Sequence, residues 1–175
     1  MNVRTSGILL ALALVLAVAT TVAWYQSHEA LRAARAQFVT GTLESIESHL
    51  KENQTIISEL QAEPYTEKDN GVLESYLVKI RRDGVVKNAP MKQRLDQLAE
   101  NNTALVTLIM GYSPHAKTAA FTLEANKFRN YASAWRDRWN SVMELFMAGG
   151  NYAAAEVPFP SRFPEAVQAE IAAAK

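Results

Sequence analysis

The chain has 175 residues, with Lys plus Arg and Asp plus Glu at 18 each, a net charge of zero and no cysteine. Balanced charge leaves no overall field to draw the chain onto nucleic acid. The lack of cysteine excludes disulfides, thiolate metal sites, a cysteine nucleophile and a lipidated cysteine anchor.

Met1–Ser6 is a short polar tail with one arginine, Arg4, and Gly7–Trp24 follows without a charge. As a helix that run spans roughly 27 Å, close to the ~30 Å hydrocarbon core of a bilayer. Two readings compete. A signal-anchor would end on Trp24 and Tyr25, rings suited to the membrane–water interface, with Arg4 at the other side. A cleavable signal peptide would use Gly7–Leu16 as its apolar region and Ala17-Val18-Ala19, or Ala23, at the cleavage site. Apolarity continuing past Ala19 favours the anchor. Arg4 faces Arg32 and Arg35 across the segment, so charge orients it weakly. The short tail makes export of the rest the simpler topology, with a cytoplasmic N-terminus. Both readings put residues after Tyr25 outside the cytoplasm, where about 150 residues suffice for one core.

From Gln26 to about Ala62 only Gly41 interrupts a helical composition. Ala36, Val39, Leu43, Ile46, Leu50, Ile57 and Leu60 alternate three and four apart, with Asn53 in the one gap, a heptad-spaced seam. Nothing breaks the helix after Tyr25, so it is expected to run directly out of the membrane segment. Glu63–Gly71 reads as a loop. Val72–Asp83 is predicted as a short helix with Val72, Leu73, Tyr76, Leu77 and Ile80 on one face, and Val85-Val86 as an extended piece. A third helix starts at Pro90, carries the seam Met91, Leu95, Leu98, Asn102, Leu105 and Ile109, and ends at Gly111. Ser113-Pro114 signals the start of a fourth helix. It runs to about Ala148, where Gly149-Gly150 stops it, on a seam of Phe121, Ala125, Phe128, Ala132, Trp135, Trp139, Val142 and Phe146. Val157–Pro164 is predicted as an extended strap and Glu165–Ala174 as a short terminal helix.

The fold class expected is all-α, an N-terminal transmembrane helix continuing into an antiparallel bundle of about four helices. The domains would be residues 1–6 as cytoplasmic tail, 7–25 as signal-anchor or signal peptide, 26–150 as extracytoplasmic bundle, and 151–175 as a Pro/Ala-rich tail.

Few residues point to chemistry. Asn53 and Asn102 each hold one seam position in an apolar heptad. Either they face each other and set register between two helices, or the stripe drifts and both reach water at its edge. His28, His49 and His115 are scattered, without H-E-x-x-H or the Glu-x-x-His spacing of di-iron bundles, so solvated or packing roles outweigh metal ligation. Arg136, Asp137 and Arg138 stand between Trp135 and Trp139. Their spacing puts both tryptophans on one face and favours a solvated charge set over a cation–aromatic patch. Lys79, Arg81, Arg82 and Lys87 form the densest positive cluster, read as a solvated helix end rather than a phosphate site. There is no G-x-S-x-G, P-loop or dinucleotide turn. No catalytic residue, metal or cofactor is implied.

The chain resembles the LemA family. Leu31-Arg32-Ala33-Ala34-Arg35-Ala36-Gln37-Phe38 is similar to that family's Leu-x-x-Ala-Arg-x-Gln-apolar opening. His49-Leu50 followed by Ile56-Ile57-Ser58-Glu59-Leu60 is similar to its Gln-Leu and Leu-Ile-Pro-Asn-Leu, with Ser58 where the family has Pro. Tyr112, Pro114, Lys117 and Phe121 resemble its Tyr-Pro, Lys and Phe. Trp139-Asn140-Ser141 leading to Phe146, and then Phe159-Pro160, resemble its Tyr-Asn repeat and later Phe-Pro, the last displaced beyond the Gly pair. The resemblance implies a divergent member, a membrane-anchored helical bundle whose biochemical activity is largely undefined, and it transfers no catalytic residues.

The function expected is a non-catalytic, single-pass membrane protein whose bundle binds or scaffolds an envelope component, with the bilayer and a protein partner or a second copy as its contacts. The alternative is an extracytoplasmic ligand-binding or sensory bundle, with a pocket among Phe121, Phe128, Trp135 and Trp139.

Overall fold

The computed structural model describes residues 3–62, 71–149 and 158–174, with the side-chain surroundings of the first stretch described from residue 16 onward. Among the described residues the chain is all-helical: α1 (Val3–Ala62), α2 (Val72–Asp83), α3 (Ala89–Tyr112), α4 (Ala119–Ala148) and α5 (Phe163–Ala174). It divides into two compact units, Met1–Thr40 and Gly41–Lys175.

In the first unit, residues 16–38 of α1 are all exposed, Leu16, Val18, Val22, Trp24 and Tyr25 among them. Among the described residues no helix is long and apolar enough to cross a membrane. The side chains of Arg4 and of residues 7–15 of the expected span lie outside the described residues. The described remainder, residues 16–24, rises only about 14 Å, less than half a bilayer core.

The second unit is a bundle built on heptad-like stripes. The α1 stripe becomes core at Leu43 and continues through Ile46, Leu50, Asn53, Ile56 and Leu60, all buried. Ala36 is exposed and Val39 and Ile57 half-buried, so the seam starts a turn or more later than its spacing predicts, and Ile56 takes the deep position beside Ile57. Every α3 seam residue, Met91 to Ile109, is buried. On α4 the seam is buried from Phe121 to Trp135 and at Val142, with Trp139 and Phe146 half-buried.

Side-chain pairs fix the helix directions. Asn53 meets Asn102, Gln97 donates to Glu52 (2.6 Å) and Arg94 lies 3.3 Å from Glu59, so α3 runs antiparallel to α1. Tyr112 rests edge-on against Phe121 (5.1 Å between centroids), and the Lys92 ammonium lies 5.7 Å above the Trp139 ring, so α4 is antiparallel to α3. Two short helices share α4 end to end. Tyr76 of α2 packs on Trp139 (5.6 Å) while Arg81 reaches the Leu145 carbonyl (3.3 Å), and Phe163 of α5 stacks on Phe128 (5.1 Å). An antiparallel bundle is thus the architecture of this unit.

Connections differ from expectation in several places. Val85-Val86 is not extended: Val86–Asn88 forms a 3-10 turn, because Asn88 donates its amide to the Gly84 carbonyl (2.9 Å) and folds the chain tightly into α3. Gly84, at φ 84°, supplies the left-handed backbone that ends α2. Helix α3 begins at Ala89, one residue before Pro90, and passes through Gly111 to Tyr112. Ser113-Pro114 does not open the fourth helix. The Ser113 hydroxyl bonds back to the Ile109 carbonyl (2.7 Å), so Ser113–His115 is a 3-10 extension of α3, and Thr118 caps α4 by accepting from the Phe121 N–H (3.2 Å). Helix α4 does stop after Ala148, on Gly149 at φ 66°. The expected loop Glu63–Gly71 lies outside the described residues except for Gly71, as do Gly150 and Val157. The C-terminal helix starts at Phe163, two residues before Glu165.

Candidate functional site

Two buried polar clusters interrupt the apolar core, both in the second unit. The first is the asparagine pair. Asn53 is 1% exposed and Asn102 2%, and the Asn53 side-chain amide donates to Asn102 Oδ1 at 2.8 Å. Two side-chain amides can exchange two bonds, but this pair makes one. Asn53 Oδ1 and Asn102 Nδ2 are buried without a partner. Each such atom costs about 1–3 kcal/mol relative to a satisfied one.

The second cluster centres on Glu170, which composition did not mark as special. Its carboxylate is fully buried and accepts from the Tyr112 hydroxyl (2.7 Å), the Lys117 N–H (2.5 Å), the Thr118 N–H (2.8 Å) and the Thr118 hydroxyl (2.5 Å). Burial pushes this carboxyl up, but the Thr118 hydroxyl, the Lys117 and Thr118 amides and the Tyr112 hydroxyl outweigh it and hold it below the ordinary 4.5. Burial, together with the same contact, raises the Tyr112 phenol. The anion also sits at the start of α4, where the helix dipole favours it. Glu170 lies four and seven residues after the buried Ala166 and Phe163, so the stripe itself was the available signal.

Phe121 and Phe128 are fully buried and Trp135 is 6% exposed. Phe121 packs on Phe163 and Tyr112, Phe128 on Phe163 and Phe159, and Trp135 stacks on Trp139 at 6.2 Å. These rings fill one another's space, so the expected aromatic pocket is core. Tyr76, against Trp139, keeps a buried hydroxyl without a partner, and burial raises its phenol. Lys79 is buried, while Arg81, Arg82 and Lys87 are exposed as a solvated helix end would be, with Arg81 reaching the Leu145 carbonyl and Arg82 the adjacent Asp83. His28 packs at a tilt against Trp24 (4.3 Å between centroids), and His49 sits 3.8 Å from Glu52. No group of His, Asp and Glu suited to a metal occurs among the described residues. Trp24 and Tyr25 are exposed on α1.

Sequence reading missed a groove. It runs between α3 and α4, about 720 Å³ in volume. Helix α3 contributes Asn102, Thr103, Val106 and Thr107, and α4 contributes Asn126, Arg129, Asn130, Ser133 and Arg136, with Ala132 among them. On α4 these positions recur three and four apart, so one helical face supplies them. No acidic side chain lines the groove among the described residues. Arg136 lies 4.0 Å from the exposed Asp137, a contact worth little in water. Asn102 belongs to both the groove and the buried pair. A second cavity of about 490 Å³ lies under the Pro158–Pro160 strap and mixes Glu124 with Lys127 and Arg162. Glu124 there is already paired with Lys127 at 2.6 Å.

No protein-family model, curated protein or solved structure matches this chain.

Proposed function

We propose that the chain is a non-catalytic, single-pass membrane-anchored helical-bundle protein of the LemA type, which presents its bundle outside the cytoplasm and binds or scaffolds an envelope component. One observation carries the anchor: the chain is uncharged from Gly7 to Trp24, and its described part, residues 16–24, lies exposed on helix α1. Water solvates such a surface poorly, and a bilayer does not. Trp24 and Tyr25 then sit at the headgroup level. The bundle supplies the scaffold, and its one cluster of carboxylate and hydroxyls, Glu170 with Tyr112 and Thr118, is spent on the fold around a fully buried Glu170.

A second reading, a ligand-binding bundle, is favoured by the α3–α4 groove rather than by the aromatic seam. Its lining is largely polar, and Asn102, one of the lining residues, carries a buried amide nitrogen without a partner.

Alkaline extraction of membranes tests the anchor. The full-length chain is expected in the membrane pellet. Release of a chain shortened by about nineteen to twenty-three residues, as signal cleavage would leave it, overturns it.

A further inference from the structure

The groove between α3 and α4 combines three properties that point to one ligand chemistry. Its charge is of one sign: Arg129 and Arg136 line it, and no acidic residue does. The two arginines stand seven residues apart on α4, about 10 Å along the axis. Asn130 and Ser133 lie between them, with Asn102, Thr103 and Thr107 opposite. Amide and hydroxyl groups both donate and accept, so they suit ligand hydroxyls, which do the same. Guanidinium groups suit carboxylates through paired N–H bonds.

The third property is the Asn102 amide nitrogen. It is buried without a partner although Asn102 lines the groove. A native core rarely leaves a donor unmet, and a turn of the Asn102 side chain toward the groove would bring this buried nitrogen to a ligand oxygen. Resting on the ligand-binding reading above, we propose that this groove binds an extended acidic oligosaccharide, a sugar chain with carboxylates spaced to reach Arg129 and Arg136 and hydroxyls lying between them.

Calorimetric titration of the full chain in detergent tests this, with tetragalacturonate as probe and maltotetraose and inorganic phosphate as comparisons. Tetragalacturonate is expected to bind, to weaken with rising salt, and to bind at least tenfold more tightly than either comparison. The double variant R129A/R136A is expected to lose at least tenfold in affinity. Both side chains are exposed, so its thermal unfolding should match the parent and exclude a folding defect. Equal binding of maltotetraose removes the role of charge and overturns the proposal. Phosphate binding as tightly as tetragalacturonate reduces the site to a single-anion site and does the same, as does undiminished binding by the double variant. Alkaline extraction reads a different property, so failure here leaves the anchor standing, and the reverse holds.

Discussion

The bundle buries two polar clusters, and they are treated oppositely. Glu170 brings a full charge into the core and receives four hydrogen bonds. Asn53 and Asn102 bring only neutral amides, yet share a single bond and leave two atoms unmet. The costlier group is the better satisfied one. A buried carboxylate without partners would lose its proton only at great cost, so the site at Glu170 is complete within the fold and ties α5 to the turn between α3 and α4. The asparagine pair costs less to leave incomplete, and one of its members opens onto the groove. The carboxylate is complete within the fold, whereas the asparagine pair, like the Tyr76 hydroxyl, leaves buried atoms unmet.

The largest effect should come from opening the lock. Glu170→Ala leaves the Tyr112 hydroxyl and two backbone N–H groups without their acceptor, and about 3 kcal/mol or more of unfolding free energy should be lost, measured by chemical denaturation. Glu170→Gln keeps an acceptor and should cost less. An unchanged midpoint for Glu170→Ala would erase the distinction between the two clusters.

Acid probes the same contact. The Glu170 carboxyl is held below its ordinary value in the folded chain, so the folded state binds fewer protons than the unfolded one near that value. Its stabilising contribution is therefore complete above about pH 4.5 and is lost as pH falls through the depressed folded value. Thermal unfolding across that range should fall less steeply in Glu170→Gln than in the parent.

The asparagine pair should respond more mildly and with a change of sign. Asn53→Ala strands Asn102 and should cost about 1–2 kcal/mol. The double variant N53L/N102L removes both polar groups and should be neutral or stabilising, while loosening the register of α1 against α3. Thr118→Ala, which removes one donor to Glu170 and the α4 cap, should cost about 1 kcal/mol or somewhat more.

Periodicity made the helices legible, and local chemistry did so less reliably. The run Val72–Asp83 and the stop at Gly149 followed from spacing and from a glycine that accepts a positive φ. Ser113-Pro114 misled because a serine before proline can cap a new helix or bond back to the old one. Here it bonds back to Ile109, and the new helix is capped five residues later by Thr118, whose amide is held by Glu170, more than fifty residues along the chain. The Asn53 and Asn102 seam positions were visible singly; their single shared bond was not, since it depends on the side-chain geometry of the packed helices. The groove was invisible for a similar reason. Its α4 face alternates Asn126, Arg129, Asn130 and Ser133 as any solvated face does, and it becomes a concave surface only when α3 lies beside it.

The most direct measurement follows the asparagine side-chain amides and the backbone amides by NMR in the full chain, labelled at every nitrogen, as tetragalacturonate is added. The Asn102 and Asn130 amide signals should shift and saturate together, while the Thr118 backbone amide, bonded to Glu170, should stay in place. Saturable binding that leaves the Asn102 amide unmoved, or that moves the Thr118 signal equally, would contradict the division of the core into a completed lock and an unfinished, ligand-facing pair.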